Sequence, residues 1–542
     1  MDVDSDLELL MGHLGEFGRY QLRQFLLHIL AAMTAGVHML SLVTVAAVPD
    51  HRCLVPGVDN DSHPLFGDEA ALARIPAGAD GAPQTCAFLD DLNATRRCDA
   101  WVFDRTYYQD SKAMEWTFVC ERRWMGAVAQ SAFMFGVFTG AVVLGSLADK
   151  YGRKTIFYIS AVLQFFLGIG VAFTPEYYGF LVVRYLYGIF GSAGSYITGF
   201  VLSMEIVGPT KRTVCGITFQ ALFAVGVMLV AFWGFVIKDS TILQVTYGLH
   251  GLLLLGHWWL IDESPRWLWA QGRVKEAVDI VEKAMSVNGQ AGKIDIAHFV
   301  SRGKAASSSR DERSYGVLDM FKTPRLRART LNVCLNWFAN SLVYYGLSLN
   351  TGKLAGNPYL ILFVIGLVEI PSYIMTILLM DRTGRRCLIS TLMLLGGIAC
   401  IVSAYIPQDT TFGSICATTI VMVGKFFIAG SFAIIYNYTA ELFPTVIRNT
   451  ALGVGSMCAR LSGAMTPLIT LLDSFDKTLP SVIFASIAIL SGLLSLLMPE
   501  TLHKPMPQTI QDGEEFGRGD TACASCCGAR HRTYDVPLSS RE

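Results

Sequence analysis

The feature that most constrains this chain is a series of apolar runs, each about 20 residues long and therefore long enough to cross a bilayer as an α-helix. The runs fall into two groups of six. The first group lies near residues 22–46, 125–147, 155–174, 178–202, 213–236 and 241–261. The second group lies near residues 330–350, 358–380, 387–406, 412–436, 449–472 and 480–498. We therefore predict an all-α membrane protein with twelve transmembrane helices in two six-helix halves.

The composition agrees with a membrane environment and argues against a nucleic-acid partner. Hydrophobic residues make up 52% of the chain, and charged residues make up only 16%, against about 25% in a typical soluble domain. The net charge is −1, so no bulk attraction to nucleic acid is expected. The N-terminal segment before the first apolar run is polar and acidic, and that run is too long for a signal peptide. We expect membrane lipid as the surrounding partner and no cleaved leader.

Lysine and arginine in the connecting segments predict the orientation, because cytoplasmic loops carry an excess of these residues. Basic residues occur in loops 148–154, 203–212 and 381–386 and throughout segment 262–329. All four segments fall on one side if there are twelve spans and both termini are cytoplasmic. The predicted organisation is an N-terminal segment 1–21, a first half 22–261, a cytoplasmic linker 262–329, a second half 330–498 and a tail 499–542. We expect a multi-pass protein of the plasma membrane.

One long loop, residues 49–123, lies on the predicted exterior and contains an even number of cysteines. Such a loop favours disulfides in an oxidising compartment, and three pairings are possible, with free thiols as the alternative. The cysteines concerned are Cys53, Cys86, Cys98 and Cys120. Two N-x-S/T sequons, at Asn60 and Asn93, predict glycosylation of the same loop.

Several motifs recur at nearly one interval along the chain. Asp149 in GSLADKYGRK is repeated by Asp381 in MDRTGRR. Glu205 is repeated by Glu441 at almost the same interval, and an arginine follows each glutamate at the same spacing. A base inside the fourth span, Arg184, is matched by Lys425 inside the tenth. The repetition predicts a duplicated six-helix unit, which is the architecture of major facilitator transporters.

Acids and bases at the same helix ends predict ionic clamps that close the cytoplasmic side and break when it opens. The alternative is that the bases only obey the positive-inside rule, but that rule does not require the paired Asp and Glu residues. The predicted gating residues are Asp149, Arg153, Glu205, Arg212, Asp381, Arg385, Glu441 and Arg448.

Longer motifs carry a family resemblance. GSLADKYGRKT, DESPRWLWAQGR and PETLHKPMP are similar to signatures of the major facilitator superfamily, and the last two also occur in sugar porters. HLGEFGRYQ, NWFANSLVYYGLSL and the cysteine-rich loop resemble the organic cation, anion and zwitterion transporters, solute carrier family 22. YYGLSLNTGKLAG and VEIPSYI look most like the branch of carnitine and ergothioneine carriers and its insect relatives.

Ionisable residues within spans are costly, so each is a candidate functional residue. The resemblance implies a substrate cavity that holds an ammonium on aromatic rings and Glu369. Cation transporters of this family place an aspartate where this chain has Arg460, whereas anion and zwitterion transporters place arginine. The implied cavity residues are Tyr196, Gln220, Phe223, Trp337, Tyr344, Glu369, Lys425 and Arg460. The alternative for Glu369 is a structural ion pair with Lys425 or Arg460.

The expected function is secondary or facilitative transport of small organic cations or zwitterions, such as carnitine-like compounds or amine conjugates, by alternating access. Na⁺ and H⁺ are the candidate coupling ions. The sequence has no Walker A loop and no nucleophile, metal or dinucleotide motif, so we expect no enzyme activity, cofactor or metal. The alternatives are an organic anion transporter and a non-transporting receptor on the same fold. Missing paired glutamines in the seventh span argue against a sugar porter.

Overall fold

The computed structural model describes residues 3–59, 64–77, 83–290, 316–349, 356–407, 410–502, 504 and 506–518. Among these residues, eight helical segments are long and apolar enough to cross a membrane. Four more segments, at the sixth, seventh, eleventh and twelfth predicted spans, complete the twelve-helix bundle. The predicted glycosylation residue Asn60 lies outside the described residues.

Fourteen helices, α1 to α14, precede the second half; α1 lies in the N-terminal segment, and α13 and α14 lie in the linker after the first half. The helices are α1 Val3–Leu14, α2 Arg19–Val45, α3 Glu69–Leu72, α4 Lys112–Glu115, α5 Trp124–Tyr151, α6 Arg153–Gly170, α7 Tyr177–Tyr187, α8 Thr198–Ile206, α9 Arg212–Val236, α10 Ser240–Leu249, α11 Leu252–Leu255, α12 His257–Leu260, α13 Pro265–Ala270 and α14 Val274–Val287. A π-helical segment, Gly188–Ile197, joins α7 to α8 within one span. Short 3₁₀ segments lie at Cys120–Arg122 and Val171–Phe173.

The second half repeats this arrangement with longer uninterrupted helices. They are α15 Pro324–Leu349, α16 Pro358–Thr383, α17 Arg385–Tyr405, α18 Thr411–Leu442, α19 Arg448–Thr470, α20 Leu479–Ser495 and α21 Ile510–Glu515. Short 3₁₀ segments lie at Val317–Phe321 and Leu471–Ser474. Interior prolines, Pro371 and Pro467, occur in two of the spanning helices.

Two helix pairs join the halves. The α9–α16 contact is close because Gly366 has no side chain: a Cβ there would lie 2.8 Å from Met228 Cγ and 2.9 Å from the Ala224 carbonyl. In the α5–α19 contact, the Ser131 hydroxyl donates to the Ala464 carbonyl at 2.8 Å. The two halves therefore meet along matching faces, with a central space between them.

The cysteine-rich loop folds as two small antiparallel sheets. β1 His51–Cys53 pairs with β4 Trp101–Phe103, and β2 Ala87–Leu89 pairs with β3 Thr95–Arg97. Disulfides join Cys53 to Cys98 and Cys86 to Cys120. We call the side of the bundle that carries this loop the Cys-rich side, and the opposite side, with the short basic loops, the basic side.

Two details of the loop bear on its stability and its modification. The buried Arg52 guanidinium forms an ion pair with Asp59 at 2.6 Å. The hydrogen bond from Arg52 lowers the pKa of the Asp59 carboxyl, against the opposing effect of burial. Asn93 is exposed in the turn between β2 and β3, with φ of 55°. It remains a predicted glycosylation site.

Candidate functional site

A small central pocket of about 70 Å³ lies between the two halves. The first half contributes residues of α2, α5, α9 and the π-helical segment, and the second half contributes residues of α15, α16, α18 and α19. π-helical segments are rare and often lie at functional sites, and this ten-residue segment presents Ser192 and Tyr196 to the pocket. Seven of the seventeen lining residues are aromatic: Tyr196, Phe223, Tyr344, Tyr345, Tyr373, Phe432 and Tyr436.

Arg460 is the one charged side chain in the lining of this pocket, as far as the described residues show. Its Nη1 atom donates to the Ser456 carbonyl at 2.9 Å and also to the Ser456 hydroxyl. Its Nε atom is buried and has no hydrogen-bond partner among the described residues. The guanidinium of this lining residue therefore keeps unused donor capacity, and a guanidinium can pair with a carboxylate.

Glu369 and Lys425 lie behind the pocket wall and form a fully buried ion pair, with Lys425 Nζ 3.0 Å from Glu369 Oε1. The Tyr344 hydroxyl donates to Glu369 Oε1 at 2.8 Å, and the Tyr373 hydroxyl donates to Oε2 at 3.0 Å. Lys425 also donates to the Ser348 hydroxyl at 2.6 Å. The carboxylate is thus neutralised by Lys425 and holds two of the tyrosines that line the pocket.

The structure brings five of the eight predicted cavity residues to the pocket surface: Tyr196, Gln220, Phe223, Tyr344 and Arg460. Glu369, Lys425 and Trp337 are not among its lining residues, and the alternative of an ion pair between Glu369 and Lys425 matches their arrangement. Trp337 is fully buried, its Nε1 donates to the Thr439 hydroxyl at 3.0 Å, and its ring centroid lies 4.3 Å from that of Tyr436. It supports an aromatic residue of the wall from behind.

Four aromatic lining residues were not predicted: Tyr345, Tyr373, Phe432 and Tyr436. A sequence signal existed for one of them, because Tyr373 follows Glu369 by four residues and so shares its helix face. Tyr345 neighbours the predicted Tyr344 and reaches the pocket because the pocket wraps around α15.

On the basic side, Arg153 is the centre of the first-half cluster. Its Nη2 lies 3.3 Å from Asp149 Oδ1 and 2.9 Å from Glu205 Oε1. Arg385 occupies the same place in the second-half cluster, 3.1 Å from Asp381 and 3.0 Å from Glu441. Each arginine begins a helix and joins it to the ends of two other helix segments. These ion pairs lie within one half each and brace its helix ends against one another.

Two further glutamates belong to these clusters and were not predicted. Glu263 accepts hydrogen bonds from the backbone N–H groups of Lys154 and Ser264, at 3.1 and 2.9 Å. Glu500 accepts from Arg385 N at 2.9 Å and Arg386 N at 3.1 Å. Each therefore caps the helix that its half's arginine begins, where a negative charge is favourable. Their separation along the chain matches the repeat interval of the other duplicated motifs.

The glycine of each basic motif makes this cap possible. Gly152 and Gly384 have φ of 104° and 85°, a region that residues with a side chain rarely adopt. A Cβ on Gly152 would lie 2.6 Å from Glu263 Oε2, and one on Gly384 would lie 2.5 Å from Glu500 Oε2. Burial raises the pKa of the Glu263 carboxyl, while the two backbone N–H groups oppose that shift.

The other predicted gating arginines, Arg212 and Arg448, form no ion pair within 4.0 Å among the described residues, and their gating role stays a prediction. Arg212 donates from Nε to the Val207 carbonyl at 3.2 Å. Arg448 has two buried nitrogens, Nε and Nη2, without a hydrogen-bond partner in the same part of the chain. Glu205 and Glu441 form ion pairs with Arg153 and Arg385 instead.

Two six-helix halves around an aromatic pocket, with duplicated ionic clusters at one end, define a membrane transporter of the major facilitator type. The solved structure of the proton:xylose symporter XylE from E. coli, bound to 6-bromo-6-deoxy-D-glucose, has the same fold. It matches with a TM-score of 0.59 and 17% identity over 92% of this chain and 99% of that chain.

Sequence comparisons identify the family. The profile described as "Sugar (and other) transporter" matches residues 93–510. The organic cation transporter protein of Drosophila melanogaster is 37% identical over 525 residues, 93% of this chain and 94% of that protein. Organic cation/carnitine transporter 2 of Homo sapiens is 32% identical over 527 residues, 93% of each chain. The chain belongs to the sugar (and other) transporter family and, within it, to solute carrier family 22.

Proposed function

We propose that this protein carries small organic zwitterions or cations across the plasma membrane by alternating access, as a secondary or facilitative transporter. The observation that carries the proposal is the composition of the central pocket, where seven aromatic rings surround one arginine. Aromatic faces attract an ammonium group by about 0.5–2 kcal/mol each. Arg460 offers two or more N–H donors to a carboxylate. A substrate that carries both groups satisfies both parts of the wall.

Glu369 supports this recognition indirectly. Its carboxylate accepts hydrogen bonds from Tyr344 and Tyr373, so it fixes the two rings in the wall at defined orientations. Lys425 balances its charge, which avoids an uncompensated carboxylate in the membrane interior. In this proposal, Glu369 and Lys425 are positioning residues and the aromatic rings and Arg460 are the binding residues.

The pocket volume suggests a contracted state of the transport cycle. About 70 Å³ is far below the roughly 300 Å³ at which ligand pockets begin. A larger cavity of about 1730 Å³ lies on the Cys-rich side, and Gln130 and the disulfide residues Cys86, Cys98 and Cys120 contribute to its wall. Substrate would enter from that cavity as the halves separate, while the braced helix ends on the basic side stay closed. Opening of the basic side would require the two clusters to move.

The test compares two ligands that differ by one group: carnitine and a matched quaternary amine that lacks the carboxylate. Uptake is measured in cells that display equal surface amounts of the wild type and Arg460→Ala. Loss of a charged hydrogen-bond partner costs about 1.5–3 kcal/mol, or roughly 10- to 150-fold in affinity. Carnitine should lose affinity by this factor, and the amine should change little. Equal losses for the two ligands would contradict the assignment of Arg460, and no uptake of either by the wild type would contradict the substrate class.

Organic anion transport is a second candidate, and one specific observation favours it. Lys425 neutralises the charge of Glu369, so the net charge around the pocket is positive and comes from Arg460. An aromatic monocarboxylate could pair with Arg460 and stack on the rings. Including such an anion in the same uptake screen separates the two candidates, since a zwitterion carrier should prefer carnitine and an anion carrier should not.

A further inference from the structure

A buried cation in the first half has no counter-charge beside it, and it lies outside the lining of the central pocket. Arg184 of α7 is fully buried and forms no ion pair within 4.0 Å among the described residues. Its Nη2 atom donates to Gln130 Oε1 of α5 at 3.2 Å. Its Nε and Nη1 atoms are buried and have no hydrogen-bond partner in the same part of the chain. Because a guanidinium stays protonated in proteins, Arg184 keeps a full positive charge and two unused sets of N–H donors inside the membrane.

The neighbours of Arg184 disperse this charge but do not cancel it. Its Cζ atom lies 4.9 Å from the centroid of the Phe133 ring and 5.8 Å from that of Phe180. Ring faces and an amide oxygen carry only partial negative charges, so a net charge of about +1 remains. The helices cannot easily separate to hydrate it, because Gly188 packs its backbone directly against the Phe133 carbonyl of α5.

A route to the guanidinium leads from the Cys-rich side. Gln130 contributes to the wall of the cavity of about 1730 Å³ on that side, and its other contact is the hydrogen bond from Arg184. Arg184 lies about two turns after Tyr177, the first residue of α7, and therefore roughly 10 Å from the Cys-rich end of this helix. The Gln130 side chain thus touches the cavity on one side and the guanidinium on the other.

We propose that Arg184 binds a small monovalent inorganic anion, such as chloride, which enters from the Cys-rich cavity past Gln130. The Nε and Nη1 groups donate to the ion, and its single negative charge balances the single positive charge of the side chain. The nitrogens are shielded from the cavity, so the site suits a monatomic ion and excludes a bulky organic anion. The ion would give the first half the neutral arrangement that Glu369 gives to Lys425 in the second half.

The experiment measures the unfolding temperature of the purified full chain, without organic substrate, in sodium gluconate and in sodium chloride at equal ionic strength. An ion that binds only the folded state stabilises it by an amount that rises with ln(1 + [L]/Kd). The unfolding temperature of the wild type should therefore rise as chloride replaces gluconate. For a chain of this length the rise should be about 1 °C at about tenfold excess of chloride over its Kd.

Two variants remove the need for the ion in different ways. Arg184→Met removes the positive charge, so its unfolding temperature should be the same in the two salts. Gln130→Glu keeps the size of the side chain and places a carboxylate where Gln130 Oε1 lies, 3.2 Å from Arg184 Nη2. It should raise the unfolding temperature in gluconate and abolish the effect of chloride. Arg460→Met, at the arginine of the central pocket, is the matched control and should keep the full effect of chloride.

No organic substrate takes part in this measurement, so its result is independent of the proposed function. Equal unfolding temperatures of the wild type in the two salts would overturn the anion site. A chloride effect that persists in Arg184→Met or in Gln130→Glu would also overturn it, and Gln130→Glu decides alone if Arg184→Met does not fold. Loss of the effect in Arg460→Met but not in Arg184→Met would assign the ion to the central pocket and contradict the proposal.

Discussion

Each half has one buried base within its fourth helix span, Arg184 in the first half and Lys425 in the second, and the positive charges of the two bases are balanced by different partners. Arg184 in the first half is fully buried, donates to Gln130 at 3.2 Å, and lies 4.9 Å from the centroid of the Phe133 ring. Its Nε and Nη1 atoms have no hydrogen-bond partner among the described residues. Lys425 in the second half instead pairs with Glu369. Both halves thus carry a buried base within a span, but among the described residues only the one in the second half has a carboxylate partner, next to the pocket.

This difference shows which of the two buried bases helps to position the side chains of the pocket. The charge on Arg184 is dispersed over amide and aromatic groups, and none of its hydrogen bonds among the described residues leads to a pocket tyrosine. The Glu369–Lys425 pair holds two pocket tyrosines directly. The second half therefore fixes the tyrosines of the central pocket, while the first half supplies mainly the opposing wall.

The largest expected effect comes from Lys425→Met. It leaves Glu369 buried without its cation, and breaking such a pair costs about 3–5 kcal/mol. We expect a large loss of thermal stability in the purified protein and little protein at the cell surface. The double variant Lys425→Met with Glu369→Gln removes both charges and should recover most of the stability.

Arg184→Met is the matched control in the first half. It removes a base that has no carboxylate partner within 4.0 Å among the described residues, so no buried acid is left unpaired. The fall in unfolding temperature should be smaller than for Lys425→Met. If the unfolding temperature of Arg184→Met fell as much as that of Lys425→Met, or more, the carboxylate partner would not explain the cost of losing the base.

The second prediction compares the ionic clusters. Arg385→Ala removes contacts to Asp381, to Glu441 and to the Met380 carbonyl, whereas Arg153→Ala removes only the contacts to Asp149 and Glu205 among those described. Each variant should lower uptake at normal surface expression, because the braced helix ends bias the conformational equilibrium.

The loss of uptake should be greater for Arg385→Ala, because this variant also removes one charged hydrogen bond, to the Met380 carbonyl, and such a bond contributes about 1.5–3 kcal/mol. Uptake kinetics normalised to surface biotinylation measure this difference. Normal uptake kinetics in both variants would contradict the proposed gating role of the two ionic clusters.

A third, smaller effect is expected from the capping glutamates. Glu500→Gln and Glu263→Gln keep one acceptor oxygen but lose the negative charge at the helix N-terminus, at a cost of about 1–2 kcal/mol. Glu500 accepts from four backbone N–H groups, including those of Thr501 and Leu502, so its replacement should cost more. The unfolding temperatures of the two purified variants measure these costs. A greater loss of stability for Glu263→Gln than for Glu500→Gln would contradict the prediction.

The smallest effect is expected at the exposed acids of the clusters. The side chains of Asp149 and Asp381 are 74% and 72% exposed, and ion pairs at such surfaces contribute about 0–1 kcal/mol. Asp149→Asn and Asp381→Asn should therefore change stability and uptake little. A large loss of uptake with unchanged stability would show that these carboxylates act in another conformation, where they meet new partners.

Much of the fold could be predicted because the features that determine it can be read directly from the amino-acid sequence. The length of the apolar runs, the basic loops and the repeat interval indicate a duplicated twelve-helix transporter without any knowledge of contacts. The central arginines and glutamates of the clusters could also be predicted, since both the Asp-to-Arg motif and the glutamate recur at nearly one interval along the chain. The glutamate caps could not be predicted, because Glu263 and Glu500 lie far along the chain from the helices they cap.

The amino-acid sequence by itself determined the class of this protein, the number of its spans and the identity of the residues that bear charge within them. Tertiary structure alone decided which of those residues meet the pocket. Hydropathy and spacing define a helix face, but not which neighbour covers it: Glu369 and Arg460 both lie within spans, yet one is buried behind Tyr344 and the other reaches the pocket. The physical reason is that burial of a charge depends on the partners that packing supplies, and packing placed Lys425 against Glu369.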